Sequence, residues 1–318
     1  MNGKERVISV IQNKKPDRKP VYGWLFNGEF SPCIVKKYGS TDAFEDKYDF
    51  DLRHSFPRVP ALEGDYVRHH SEFFEDELPD IQFTDPNKME PYASVKHEIE
   101  FYGNKKGRFV YAQTPGCFEF FNGVWGIENH LAYLLLHTSQ LGEMYDRLAD
   151  WTIQYANNLI DLGIDMIHVS DDWGSQKGAM FGLDIWKRIV YPSHKKVIDA
   201  VKKRGVYISL HCDGNADELL DGIGALGYDV MHPYQESAGM SYEKYLKHYR
   251  DKFVVMGGLD IQSTIGFGDY DNVRNEIKRV FELFKGGGLI LCTTHMIQPH
   301  CTCEEAEFVF DYISEINR

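Results

Sequence analysis

Three adjacent residues, His211, Cys212 and Asp213 in "SLHCDGNADELL" (209–220), offer an imidazole, a thiol and a carboxylate in one short run. These side chains are the usual zinc ligands, and without a metal an imidazole or carboxylate can move a proton. The run ends a β-branched stretch, so its side chains alternate between two faces. His211 and Asp213 then share a face, and Cys212 takes the other, where a buried cysteine acts as a small apolar filler. A plainer reading of the pair is also open. Asp213 would cap the helix starting near Asn215, and His211 would hydrogen-bond a backbone carbonyl.

Further chemistry-bearing residues follow similar stretches. "SDDWGSQ" carries Asp171 and Asp172, "PYQES" carries Gln235, "GGLDIQ" carries Gly257, Gly258 and Asp260, and "TTHMIQPH" carries His295. His295 added to His211 and Asp213 makes a His/carboxylate/His set, three ligands of the kind that leave catalytic zinc one open position. Asp171 and Asp172 would add a ligand or a general acid–base pair, although aspartates in such loops also cap helices. Gly257 and Gly258 mark backbone that comes close to a ligand, or only a tight turn. "PHCTCEEAEFVF" gathers His300, Cys301 and Cys303, but Thr302 and Glu305 have capping-box spacing ahead of an apolar run, which reads as a helix start. Cys292 reads as core, and Cys33 and Cys117 have no partner at a telling spacing.

These residues share a place because each follows a strand candidate. Eight such runs recur: 20–24, 48–54, 108–114, 165–171, 206–211, 229–234, 253–258 and 289–294. Helical patterns lie between them. The stretch 138–163 places Leu141, Met144, Tyr145, Leu148, Trp151, Tyr155 and Leu159 on one stripe, with Ser139 as N-cap and Gly163 as stop. Asn215 and Glu218 have capping-box spacing, and the pattern after Asp269 runs to a glycine stop at 286–288. Strands alternating with helices predict a parallel (β/α)8 TIM barrel, whose active sites lie at the C-terminal strand ends. A doubly wound open sheet is the alternative, but no GxGxxG follows the first strand. More than fifty residues separate the second and third strands. A structureless loop of that length is improbable, so an insertion with its own helices or strands is expected there, within a single domain over 1–318.

Composition narrows the function. With 318 residues, 43% hydrophobic content and a net charge of −13, the chain has the make-up of a soluble acidic globular protein. Nucleic acid and anionic membranes need a basic face and are excluded as main partners. No apolar run reaches membrane-spanning length, the start lacks a signal-peptide core, and the six cysteines read as cytosolic thiols. The expected location is the cytoplasm.

The chain resembles the uroporphyrinogen decarboxylase superfamily, which includes cobamide-dependent methyltransferases. The resemblance rests on "ERVISVIQNKKPDRKPV", "LGIDMIHVSDDWGSQ", "GVYISLHCDGNADELLDGIGALGYDVMHPYQ", "VMGGLDIQ" and "GGGLILCTTHMIQPHCTCEEA", and it implies a (β/α)8 barrel. The decarboxylases of the superfamily carry an arginine-rich loop after the first strand, where this chain reads "YGWLFNGEF". Without those cations a polycarboxylate substrate loses its clamp, although His295 matches a decarboxylase histidine. The thiol-loading methyltransferases use zinc held by His-x-Cys after the fifth strand and a cysteine after the eighth. This chain keeps the histidine as His211 but places Asp213 and His295 at the two cysteine positions. Such a set gives up thiolate donation and favours oxygen.

The resemblance therefore implies methyl transfer from a methoxy compound or similar small donor to a corrinoid (cobalamin-type cofactor) carried by a partner protein. Zinc would sit at His211, Asp213 and His295, acid–base chemistry would fall to Asp171 and Asp172, and cofactor binding to Gln235, Gly257, Gly258 and Asp260. The alternatives are a metal-independent decarboxylase and a non-catalytic corrinoid- or metal-binding accessory protein.

Overall fold

A computed structural model describes residues 1–25, 31–63 and 81–318. Each of the eight expected strands forms: β1 Val21–Tyr22, β2 Leu52–Ser55, β3 Phe109–Pro115, β4 Met166–Ser170, β5 Tyr207–Cys212, β6 Val230–Pro233, β7 Val254–Leu259 and β8 Leu289–Thr293. They join one sheet in the order β1-β8-β7-β6-β5-β4-β3-β2. The pairs β1–β8, β3–β4, β4–β5, β6–β7 and β7–β8 run parallel. Helices separate the strands, and the fold is the expected (β/α)8 barrel. Strands β4, β7 and β8 are buried at every position. They therefore read as continuous apolar runs rather than alternating ones.

By Cα packing the chain divides into two compact units. One comprises Met1–Arg53, Tyr102–Phe109 and Val230–Arg318, and the other His54–Phe101 and Val110–Asp229.

In the first unit, Asp51 stitches strand starts together. Its N–H donates to Val21 O at 2.9 Å, and its carbonyl accepts from Phe109 N at 2.8 Å. Its side chain accepts from Val21 N at 2.7 Å and from Arg18 Nη1 at 2.7 Å, and it pairs with Arg6. Burial pushes this carboxyl up, while Arg18, Val21 N and Arg6 pull it back down. A buried carboxylate with two guanidiniums and a backbone donor is the satisfied form such a group requires.

The second unit holds the long helix Thr138–Leu162. Its buried face carries the seven-residue stripe expected from Leu141 to Leu159, and it stops at Gly163 in the left-handed region (φ 99°). Its start differs from expectation. The N-cap is His137, whose side chain makes no cap bond, so Ser139 already lies inside the first turn. Asn215 also departs: its Oδ1 accepts from Asp217 N at 3.0 Å, an Asx turn, and a 3-10 turn Asp217–Leu219 precedes the helix Leu220–Leu226. Between β2 and β3 the helix Ala93–Glu98 and a π-helical stretch Ile99–Lys105 supply the expected extra structure. Residues 64–80 of that insertion, and 26–30 of "YGWLFNGEF", lie outside the described residues.

The cysteine reading needs one correction. Cys33 and Cys303 form a disulfide, 270 residues apart in sequence, while Cys117, Cys212, Cys292 and Cys301 are buried thiols. "CTCEE" does start a helix, Cys303–Ile316, with Thr302 Oγ1 accepting from Glu305 N at 3.1 Å. The Glu305 carboxylate turns instead to the N–H groups of Gly266, Phe267 and Gly268. Among the described residues, no helix is long and apolar enough to cross a membrane.

Candidate functional site

The end of β3 sets up the site in the second unit. Gly116 N donates to Ser170 O at 2.7 Å, and the helix Cys117–Trp125 starts immediately after. A Cβ on Gly116 would lie 2.1 Å from Asp171 Cβ, so only glycine lets the helix dock there. Gly116 has no side chain to cap the helix, and Asp171 does so from the next strand. Its Oδ1 accepts from Glu119 N at 2.6 Å and its Oδ2 from Phe118 N at 3.2 Å. Oδ2 also accepts from Trp173 Nε1 at 2.7 Å and meets His194 Nε2 at 2.7 Å. Asp171 is 0% exposed. Its carboxylate is taken up in holding this corner.

Its neighbour Asp172 has a different environment. Its side chain keeps 29% exposure, its Oδ1 accepts from Asp213 N at 3.0 Å, and the same oxygen lies 3.9 Å from His211 Nε2. Desolvation, then the charges of Asp213 and Glu119, push its carboxyl up to about 8. Glu119 accepts from Ser170 Oγ at 3.0 Å, and its carboxyl is likewise raised by desolvation and then by Asp171. Glu119, Ser170, Gln113 and Thr114 line a pocket of about 300 Å³, with Phe120 and Tyr155 as apolar walls. The ends of β3, β4 and β5 therefore present Glu119, Asp172 and Asp213 beside His211, an acid-rich group with one imidazole.

Backbone contact fixes the two loops that carry Asp172 and Asp213. Asn215 N donates to Ser175 O at 2.7 Å, and a Cβ on Gly214 would lie 2.1 Å from Gly174 O. Two facing glycines let the chains touch. Cys212 behaves as the filler expected from parity. It is fully buried, its sulfur accepts from Trp173 N at 3.4 Å, and burial pushes its thiol up.

Histidines inside the strands add to this group. His168 on β4 has Nδ1 2.6 Å from Ser209 Oγ, and its ring lies 5.8 Å from that of His211. His54 stands 5.2 Å from His168 and stacks on Tyr111 at 4.2 Å. His54, His168 and Glu119 fall outside the segments that directly follow the strands, where the sequence pattern points for chemistry. His168 and Ser170 have the same parity, and that signal was available.

In the first unit, His295 follows β8. It is half-buried, and its ring lies 4.9 Å from that of Trp24. Trp24 straps this loop: its N–H donates to Thr293 Oγ1 at 2.9 Å and its carbonyl accepts from Ile297 N at 3.0 Å. His232, also passed over, is buried on β6 with Nε2 3.1 Å from Thr293 O, and burial lowers it to about 3. It is therefore neutral.

The residues expected to bind cofactor have local partners. Gln235 is buried and donates to Ser237 Oγ at 2.9 Å. Ser237 Oγ in turn donates to Asp260 Oδ2 at 2.7 Å, and Asp260 Oδ1 accepts from Gln262 N and Ser263 N at 2.7 and 3.1 Å. Gly257 allows β7 to approach β6, since a Cβ there would sit 2.2 Å from Pro233 O. Gly258 has φ +93°, and a Cβ there would sit 3.0 Å from the Val280 side chain. Gly257 thus faces the β6 backbone, and Gly258 takes left-handed backbone beside the helix Tyr270–Leu283.

Comparison with known proteins gives the wider setting. The family model described as uroporphyrinogen decarboxylase (URO-D) matches residues 120–316. A uroporphyrinogen decarboxylase of Citrifermentans bemidjiense is 27% identical over 55% of this chain and 49% of its own length. A methylcobamide:CoM methyltransferase of Methanosarcina mazei is 24% identical over 65% of this chain and 57% of its own. The chain thus spans about half the length of the curated relatives it matches. A solved methyltransferase from Methanosarcina mazei superposes with a TM-score of 0.75 over 100% of both chains at 16% identity, a likeness of fold. With the matched segment covering more than half of its length, the chain belongs to the uroporphyrinogen decarboxylase family.

Proposed function

We propose that the protein is a corrinoid-dependent methyltransferase that takes a methyl group from a methoxy compound, or a similar small donor, and delivers it to a corrinoid on a partner protein. One observation carries this reading: Asp172, Asp213 and His211 meet at the ends of β4 and β5, with Asp172 Oδ1 3.9 Å from His211 Nε2 and accepting from Asp213 N. A methoxy group leaves as an oxygen anion, which needs a proton or a Lewis acid. Asp172 would give the proton as the methyl carbon departs, with Asp171 a positioning residue. The pocket beside Glu119 would hold the body of the donor.

The metal would be held by His211, Asp213 and His295. Imidazoles with a carboxylate suit zinc with an open position. Such an ion would supply Lewis acidity toward the donor oxygen.

The family and several relatives carry the name of a decarboxylase, which sustains the second reading. Against it stands the stretch "YGWLFNGEF" after the first strand, which carries no arginine to grip a polycarboxylate. The two readings separate in one experiment. Purified protein loaded with zinc is mixed with a corrinoid protein and a panel of methoxy compounds. Methylcobalamin absorbance appearing with one donor supports methyl transfer. Carbon dioxide release from a carboxylated substrate that survives chelation would replace it, and binding without either reaction would leave an accessory role.

A further inference from the structure

The first unit has a second concavity, of about 500 Å³, beside the start of β8. Lys14, Lys15, Lys19, Arg250 and Lys285 border it together with the glycine run 286–288. Arg18 borders it too, but that guanidinium is already paired with Asp49 and Asp51. Asp17 on the same rim is paired with Arg6 and the N-terminal amine. Lys285 is paired with Glu282, but Lys14, Lys15, Lys19 and Arg250 have no carboxylate partner among the described residues, and such a gathering is conspicuous in a chain of net charge −13, since like charges without a counter-ion repel.

Lys19 is the informative one. It is half-buried, its Nζ donates to Phe284 O at 2.5 Å, and it stands 5.6 Å from the centre of the Phe281 ring. Among the described residues it has no carboxylate partner. Burial lowers its pKa accordingly. Lys14 Nζ donates to Gln12 Oε1 at 2.8 Å, and Arg250 donates to Gly286 O. Gly287 and Gly288 have φ of +95° and +85°, and a Cβ on Gly287 would meet nothing within 4 Å, so open backbone lines one wall. Flexible point charges beside open glycine backbone suit an anion with oxygens in several directions, where a planar carboxylate would call for arginine forks. The volume is that of a nucleotide-sized ligand.

We propose that this concavity is a binding site for a small phosphate-bearing anion, with Lys19 at its base and Lys14, Lys15, Arg250 and Lys285 around its mouth. It lies at the Leu289 end of β8, and His295 follows the Thr293 end, roughly 13 Å along the strand. The site is therefore separate from His295 and does not depend on the proposed reaction.

Calorimetric titration with pyrophosphate and with ATP, in EDTA and low salt, tests it on the full chain. Citrate serves as the carboxylate control. Binding is expected for the phosphate compounds, weakening as salt rises. The double variant Lys15→Glu, Lys285→Glu changes exposed side chains, so it should keep the wild-type unfolding midpoint while weakening pyrophosphate binding on the order of tenfold or more. His211→Ala should bind pyrophosphate as wild type does. No heat up to about 10 mM, equal binding of citrate, or unchanged affinity in the folded double variant would overturn the proposal.

Discussion

Asp171 and His194 form a buried pair, with the carboxylate Oδ2 2.7 Å from the imidazole Nε2 and the Tyr228 hydroxyl 2.6 Å from the other ring nitrogen. With its Nε2–H donating to Asp171 and its Nδ1 against the Tyr228 hydroxyl, the imidazole leaves no ring nitrogen without a partner. This network places Asp171 across the start of the helix Cys117–Trp125 and so sets the positions of Glu119 and Asp172. Replacing His194 with alanine would leave a fully buried carboxylate short of one partner. The expected loss is about 3 kcal/mol in urea unfolding, with His194→Gln losing clearly less because its amide can still donate. An alanine variant as stable as wild type would show that the pair is dispensable.

Gly214 tests the loop contact. A methyl there would press on backbone atoms of Gly174 at 2.1 and 2.2 Å, which no rotamer change relieves. Gly214→Ala should cost about 2 kcal/mol or more and disturb the Asp213 N to Asp172 bond. Gly123 is the contrast. It lies within the helix Cys117–Trp125, and a Cβ there meets nothing within 4 Å, so Gly123→Ala should stabilise by about 0.5–1 kcal/mol. Thermal unfolding of the two variants side by side checks both signs.

The two cases also mark what could be read from the chain alone. Strand runs such as 165–171 and 253–258 were legible because strands buried on both faces need unbroken apolar β-branched sequence, and the Gly163 stop because left-handed backbone favours glycine. The difference between Asp171 and Asp172 was not legible. Adjacent residues in one loop acquire opposite roles because a helix some fifty residues earlier, beginning at Cys117, sets its first turn on one of them. The Cys33–Cys303 bond was hidden for the same reason, since chain separation carries no trace of spatial proximity. His168 and His232 were missed although both were in view, because a histidine within an apolar strand passes for core.

His130 gives the pH prediction. It is fully buried, with Nδ1 2.8 Å from Asn122 Oδ1 and Nε2 2.8 Å from the Tyr145 hydroxyl, and desolvation lowers it to about 3. In the unfolded chain it titrates near 6.5. A depressed histidine is neutral when folded, so the unfolded state binds the extra proton as pH falls. Its stabilising contribution is therefore whole above pH 6.5 and is lost between there and about 3, at about 1.4 kcal/mol per pH unit. Urea unfolding of wild type and His130→Phe from pH 7 to 4 should show a shallower acid slope in the variant. Parallel slopes would assign the loss to other groups.

The candidate site predicts a division of labour among its side chains. His211→Ala and His295→Ala should each lose bound zinc by elemental analysis, and Asp213→Asn should weaken it, because each removes a proposed donor. Asp172→Asn should keep the metal, since the amide can still accept from Asp213 N, yet it can no longer give a proton. Its methyl-transfer rate should fall by about 10²–10⁴, the usual worth of a general acid. The fall should appear in kcat with little change in KM, because proton donation matters as the donor oxygen leaves and not while the donor binds. Metal retained in His211→Ala, or full turnover in Asp172→Asn, would move the chemistry elsewhere. Glu119, whose carboxylate accepts from Ser170 Oγ at the pocket wall, would then be the next acid to replace.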